Sequence, residues 1–217
     1  MDAREKYKEL LALSIEYLTG LGFKKRGKEL FIEKDFFSSL LHFQKTPYSH
    51  EGEVVATLNI GILPHTELMK KYWKYTNPKH FYECPIETRP ELINGKSLEW
   101  VHVINDDESA SNFFEREFKP YLMIGIDWID SFKNIDDMIN YLSIPRVLML
   151  GDRRFTLRNL AILLKEVDPQ RFNRLVEEVQ ADPDPDFRTC LKWEPSIVGD
   201  DFKVDYNFIQ NGSEMKK

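Results

Sequence analysis

Three consecutive strand-like runs between Gly22 and Leu63 constrain this chain more than any other feature. Glu29–Glu33, Phe36–Lys45 and Glu53–Leu63 are rich in Phe, Ile, Leu and Val, residue types that suit a pleated, half-buried surface. In the third run Val54, Ala56, Leu58, Ile60 and Ile62 fall on one side, and Val55, Thr57, Asn59, Gly61 and Leu63 on the other. In the second, Phe37, Leu41 and Phe43 share a face opposite His42 and Gln44. A hairpin whose loop lies within Thr46–Gly52 and that sets His42 opposite Thr57 also sets Phe43 opposite Ala56. A tight turn at Lys34-Asp35 sets Ile32 opposite Phe37 and Leu30 opposite Ser39. In these registers the apolar faces coincide, and a one-residue slip would separate them. The expectation is a three-stranded antiparallel meander with one core face.

Other elements follow from the same periodicities. Asp2–Thr19 has helical spacing in Tyr7, Leu11, Ile15 and Leu18, with Gly20 and Gly22 as its stop. Lys24–Lys28 lacks the glycine spacing of a phosphate loop and reads as a solvated edge or turn. Glu67–Tyr75 reads as a short helix. Asn77–Gly95, with three prolines, reads as a long irregular excursion, and Leu98–Ile104 as a fourth strand. From Asp106 the period changes to 3.6. A helix carries Phe113, Phe114 and Phe118 until Pro120 perturbs or ends it, and Tyr121–Phe132 starts another. Asn134 caps a short helix, and Thr156–Val167 with the segment after Asp168-Pro169 makes an αα-hairpin. The expected fold class is α+β: an N-terminal helix, the meander and a fourth strand forming an antiparallel sheet flanked by helices, with a C-terminal helical hairpin. The expected organisation is a sheet domain over 1–150, the hairpin packed on it over 151–181, and an irregular tail over 182–217 with one added strand, Phe202–Ile209, as its most regular stretch.

The residues Gly22-Phe23-Lys24-Lys25, Leu30-Phe31, His42-Phe43-Gln44-Lys45 and Leu58-Asn59-Ile60-Gly61-Ile62 resemble the bacterial domain of unknown function 4304 family. The resemblance is best over Met1–Leu63 and extends loosely through the αα-hairpin. It implies an α+β fold and brings no reaction, cofactor or catalytic residue with it.

Charge and cysteine usage bound the function. The formal net charge is −6, and Trp100–Asn140 alone holds nine acids and three bases. Such a chain does not favour nucleic acid. Its acidic stretch reads first as helix starts and solvated faces, and secondly as a partner surface. No apolar run reaches the roughly 20 residues of a membrane span. Two cysteines, Cys84 and Cys190, make no disulfide framework, and a cytoplasmic location is expected.

No catalytic or metal motif is present. His80 and Cys84 are spaced four apart in a loop, but zinc needs three or four ligands. Asp182, Asp184 and Asp186 alternate without the glycine and glutamate of a calcium loop. Gly151–Arg154 could greet an anion at a helix start, although salt bridging is the commoner use. The best candidate ligand site is the polar face of the sheet: His42, Gln44, Thr57 and Asn59. Against it stands the common case in which that face is solvated, or covered with its polar groups satisfied. The expected function is a non-enzymatic binding or protein-interaction module with no cofactor. Aromatics such as Trp73 and Tyr82 suit a contact surface, and a toxin–immunity type of pairing suits the acidic balance. The alternative is an enzyme with a site in the groove over the polar face.

Overall fold

A computed structural model describes residues 3–45, 54–69, 84–94, 102–104, 109–143 and 153–181. The expected loop Thr46–Gly52, the aromatics between 70 and 83, His80, Gly151-Asp152, the three aspartates after 181 and the strand Phe202–Ile209 lie outside them. The described residues form two compact units. The first holds α1 (Ala3–Gly20), β1 (Lys24–Arg26), β2 (Glu29–Glu33), β3 (Phe37–Lys45), β4 (Val54–Pro64, whose last residue falls in the second unit), β5 (Ile86–Thr88), α2 (Pro90–Ile93), β6 (His102–Ile104), α3 (Ala110–Phe113), a π-helical turn (Phe114–Phe118) and α4 (Lys119–Ser131). The second holds α5 (Ile135–Leu142), α6 (Arg153–Val167) and α7 (Pro169–Ala181), preceded by a helical turn from Glu67. The fold is α+β.

α1 ends as its glycines dictate. Gly22 adopts φ 95°, a left-handed conformation that costs glycine nothing. Phe23 N–H then donates to Leu18 O and Gly22 N–H to Thr19 O, both at 3.0 Å. These are the two bonds of a Schellman cap, and Leu18 and Phe23, the positions of its usual apolar contact, are both buried. The cap turns the chain directly into β1.

The sheet has six strands, ordered β1-β2-β3-β4-β5 with β6 also paired to β4. β2 and β3 pair as Leu30↔Leu41 and Ile32↔Ser39, which corrects the expected register by two residues. The turn sits one residue later, over Asp35-Phe36, and Lys34 N–H donates to Phe37 O at 2.8 Å to close it. A two-residue shift keeps every side chain on its face, so Phe37 and Leu41 still enter the core. The excursion 77–95 is more ordered than expected over its described part, where it contributes β5 and α2. Of the predicted fourth strand, the described portion is β6. Lys24–Arg26, expected as edge or turn, forms the edge strand itself and is exposed along its length.

The apolar face of β3 and β4 packs on the helical run that follows Ser109. Phe43 stacks with Phe118 at 6.1 Å, and Phe37 meets Phe132 edge-on at 6.3 Å. Gly125 lets α4 close on the sheet: a Cβ there would lie 2.6 Å from Ile60 Cδ1. Pro120 does not end the helix. It lacks the N–H that would reach back four residues, and the turn before it widens so that Lys119 N–H bonds Phe114 O, five residues back.

In the second unit Asn134 and Asp137 form a reciprocal capping box at α5. Asp168 caps α7 through Arg171 N–H at 3.0 Å. Both Glu166 carboxylate oxygens accept backbone N–H groups, from Glu67 at 2.8 Å and Leu68 at 2.9 Å. Those donors are the first N–H groups of a helical turn, where a carboxylate is a favourable acceptor.

Candidate functional site

The polar chemistry of the first unit gathers where β4 changes partners. β6 pairs with Val54, Val55 and Ala56, and β5 pairs with Ile60, Gly61 and Ile62. Between them Thr57, Leu58 and Asn59 have no described strand partner on that side. Leu58 N–H therefore needs another acceptor. Tyr121, in the first turn of α4, brings its hydroxyl to 3.1 Å and accepts the bond. The same hydroxyl donates to Glu91 Oε2 at 2.7 Å and lies 2.8 Å from Thr57 Oγ1. Thr57 donates to Glu91 Oε1 at 3.0 Å.

Local sequence explains how Glu91 arrives there. Arg89 is extended and Pro90 opens α2, a position where its missing N–H costs nothing. Glu91 follows at once, and its carboxylate reaches Thr57 and Tyr121. Thr57 is 0 %, Glu91 2 % and Tyr121 5 % exposed. Burial, with the Glu91 carboxylate beside it, raises the Tyr121 phenol well above its ordinary pKa. The phenol is thus a neutral hydrogen-bonding group, not a base.

The four predicted residues divide among three sets of partners. Asn59, 0 % exposed, donates to Gln44 Oε1 at 2.9 Å and accepts from Arg89 Nε at 2.7 Å. Thr57 belongs to the Glu91–Tyr121 cluster. His42 Nδ1 lies 3.6 Å from Glu29 Oε1, an ion pair when the imidazole is protonated. Gln44 and Asn59 are brought together as adjacent strands allow, while His42 and Thr57 have separate partners. At Thr57 and Asn59 the polar face is covered, not solvated. Sequence reasoning missed Glu29, Arg89, Glu91 and Tyr121. A carboxylate directly after Pro90 was the available signal for Glu91. Tyr121 reads as one more apolar helix position.

Two further features are chemically distinct. Glu87, in β5 opposite Gly61, is 6 % exposed, and burial pushes its carboxyl pKa up to about 8. Cys84 is buried and forms no disulfide. Among the described residues no group of three His, Cys, Asp or Glu side chains could hold a metal ion. No described helix is long and apolar enough to cross a membrane.

The exposed chemistry lies at the other end of the sheet. A shallow cleft of ≈ 90 Å³ opens beside the α1–β1 junction. Phe23, Ile32, Ile126 and Ile129 line it, and Leu21, 44 % exposed, stands at its rim. Lys34 and Asp130 form an ion pair across it at 3.0 Å. Next to it runs β1, whose Lys24, Lys25 and Arg26 are all exposed.

Residues 15–116 match the model of a family described as Domain of unknown function (DUF4304). No curated protein and no solved structure matches the chain.

Proposed function

We propose that this chain, whose residues 15–116 match the DUF4304 family model, is a non-enzymatic protein-interaction module of the bacterial cytoplasm. The observation that carries this reading is the condition of the sheet's polar side chains. Thr57, Asn59, Glu91 and Tyr121 are buried and bonded to one another or to Gln44, Arg89 and the Leu58 backbone. Groups so engaged fix the fold around the middle of β4. An enzyme built on the same cluster would need a route for substrate to side chains that are 5 % exposed or less. The accessible groups are instead an exposed edge strand, a leucine and a shallow apolar cleft, which are features of contact surfaces.

The paucity of cysteine supports the compartment. A toxin–immunity type of pairing fits the acidic balance of the chain, and a toxin gene adjacent to this one would support it. The direct test is purification of the tagged full chain from its native host at native concentration. One protein partner in fixed stoichiometry, re-forming the complex from purified components, is the expected result. Recovery of the chain alone would overturn the reading.

A further inference from the structure

β1 ends the sheet, and its free edge is open among the described residues. The hydrogen-bonding parity of that edge follows from two turns. β2–β3 closes with Lys34 N–H on Phe37 O, so pairs in the same phase, Ile32↔Ser39 and Leu30↔Leu41, are the bonded ones. Phe31 must then direct its N–H and C=O toward β1, where its partner is Lys24. The Arg26↔Glu29 pair flanking the two-residue turn Gly27-Lys28 agrees in phase. Lys25 therefore directs its own N–H and C=O away from β2, into the open edge.

The side chains at this edge select what can pair with it. Lys24, Lys25, Arg26 and Lys28 make four cations in five residues, and none forms an ion pair with a described residue. A second copy of β1 laid antiparallel against the first would set Lys and Arg against Lys and Arg, which is unfavourable. An uncharged strand gains nothing from the cations, which guard the edge against it. A nucleic acid would meet a chain of net charge −6 and has no use for a peptide N–H and C=O presented as a strand edge. An acidic peptide segment satisfies both the charges and the backbone. Leu21 and the apolar cleft lie just beyond Phe23, at the start of β1.

We propose that β1 is the docking edge for an extended acidic segment of a partner protein. That segment pairs with the Lys25 backbone, sets carboxylates against Lys24 and Arg26, which share one face of the strand, and rests an apolar side chain on Leu21. The inference rests on the interaction-module reading and deepens it to a partner chemistry. A single residue offers the outward backbone pair, so charge supplies most of the attraction, and binding weakens as salt rises.

The test uses the ¹⁵N-labelled full chain and a defined probe, the capped peptide Glu-Val-Glu-Leu-Glu-Val, followed by amide chemical shifts. Saturable shifts confined to Leu21–Lys28 are expected, with no response to the Lys-for-Glu version of the peptide. Lys25→Pro removes the outward N–H while leaving the bonds between β1 and β2. It should weaken the peptide at least tenfold, whereas Lys25→Gln, which removes only a charge, should weaken it about threefold. The double variant Lys24→Glu/Arg26→Glu should abolish binding and serves if the proline variant fails to fold. No localised shift at millimolar peptide overturns the proposal. So does equal binding of oligo(dT), or binding indifferent to Lys25→Pro with Lys25→Gln as control. If a stoichiometric partner is purified while the peptide fails, the interaction reading stands and the edge assignment falls.

Discussion

Glu87 shows how much one side chain decides. It lies in a short strand against Gly61, almost out of water, and its carboxyl pKa rises from 4.5 to about 8 because burial penalises the charged form. The folded protein therefore holds this proton more tightly than the unfolded chain does. The resulting stabilisation is full below about 4.5 and is lost as pH climbs toward about 8. Glu87→Gln keeps the shape and removes the titration. The melting temperature of the wild type, taken as a difference from that variant, is expected to fall between pH 4.5 and pH 8. A difference that stays flat across that window would show that Glu87 ionises in the folded protein over the same pH range as in the unfolded chain, so that burial does not raise its pKa. Glu91 is surrounded differently: its carboxylate oxygens accept from Thr57 and Tyr121.

Among elements, contact between α4 and β4 depends on a glycine. Gly125 faces Leu58 and Ile60, and a methyl group there would meet Ile60 Cδ1 at 2.6 Å. Ile60 is in the core and has little room to give. Gly125→Ala gains some helix propensity but overpacks this contact, and overpacking typically costs about 1–3 kcal/mol. The net expectation is a loss of about 1–2 kcal/mol, measured by urea denaturation. The same elements show what was legible in the sequence. The meander, its core face, the α1 stop and the Asn134 cap follow from period-2 alternation, glycine and capping chemistry, all local signals. The β2–β3 register came out two residues off because Lys34-Asp35 and Asp35-Phe36 are both acceptable turns and give the same facing pattern. β5 and α2 were hidden because Asn77–Gly95 is rich in proline, and Pro90 marks a helix start as readily as a break. The partners of Thr57 and Asn59 were beyond reach. Arg89, Glu91 and Tyr121 are 30 to 64 residues away, and nothing local encodes such a distance.

For the molecule as a whole, the family match and the folding unit differ in extent. The match ends at residue 116, while Phe118, Tyr121, Gly125 and Phe132 cover the apolar face of β3 and β4. It starts at residue 15, partway along α1, omitting Leu10, which is buried. A fragment of residues 15–116 would leave that sheet face bare. It is expected to show no cooperative thermal transition by near-ultraviolet circular dichroism, where the full chain does. A cooperative transition in the fragment would mean that the matched stretch is self-sufficient. One consequence of the bond between Leu58 and Tyr121 concerns how the fold reports on itself. A backbone amide in a sheet normally exchanges its hydrogen with solvent when its neighbouring strand leaves. The Leu58 amide answers to a phenol on a helix instead, so its exchange clock is set by the lifting of α4, and one backbone signal in mid-strand records the docking of a helix.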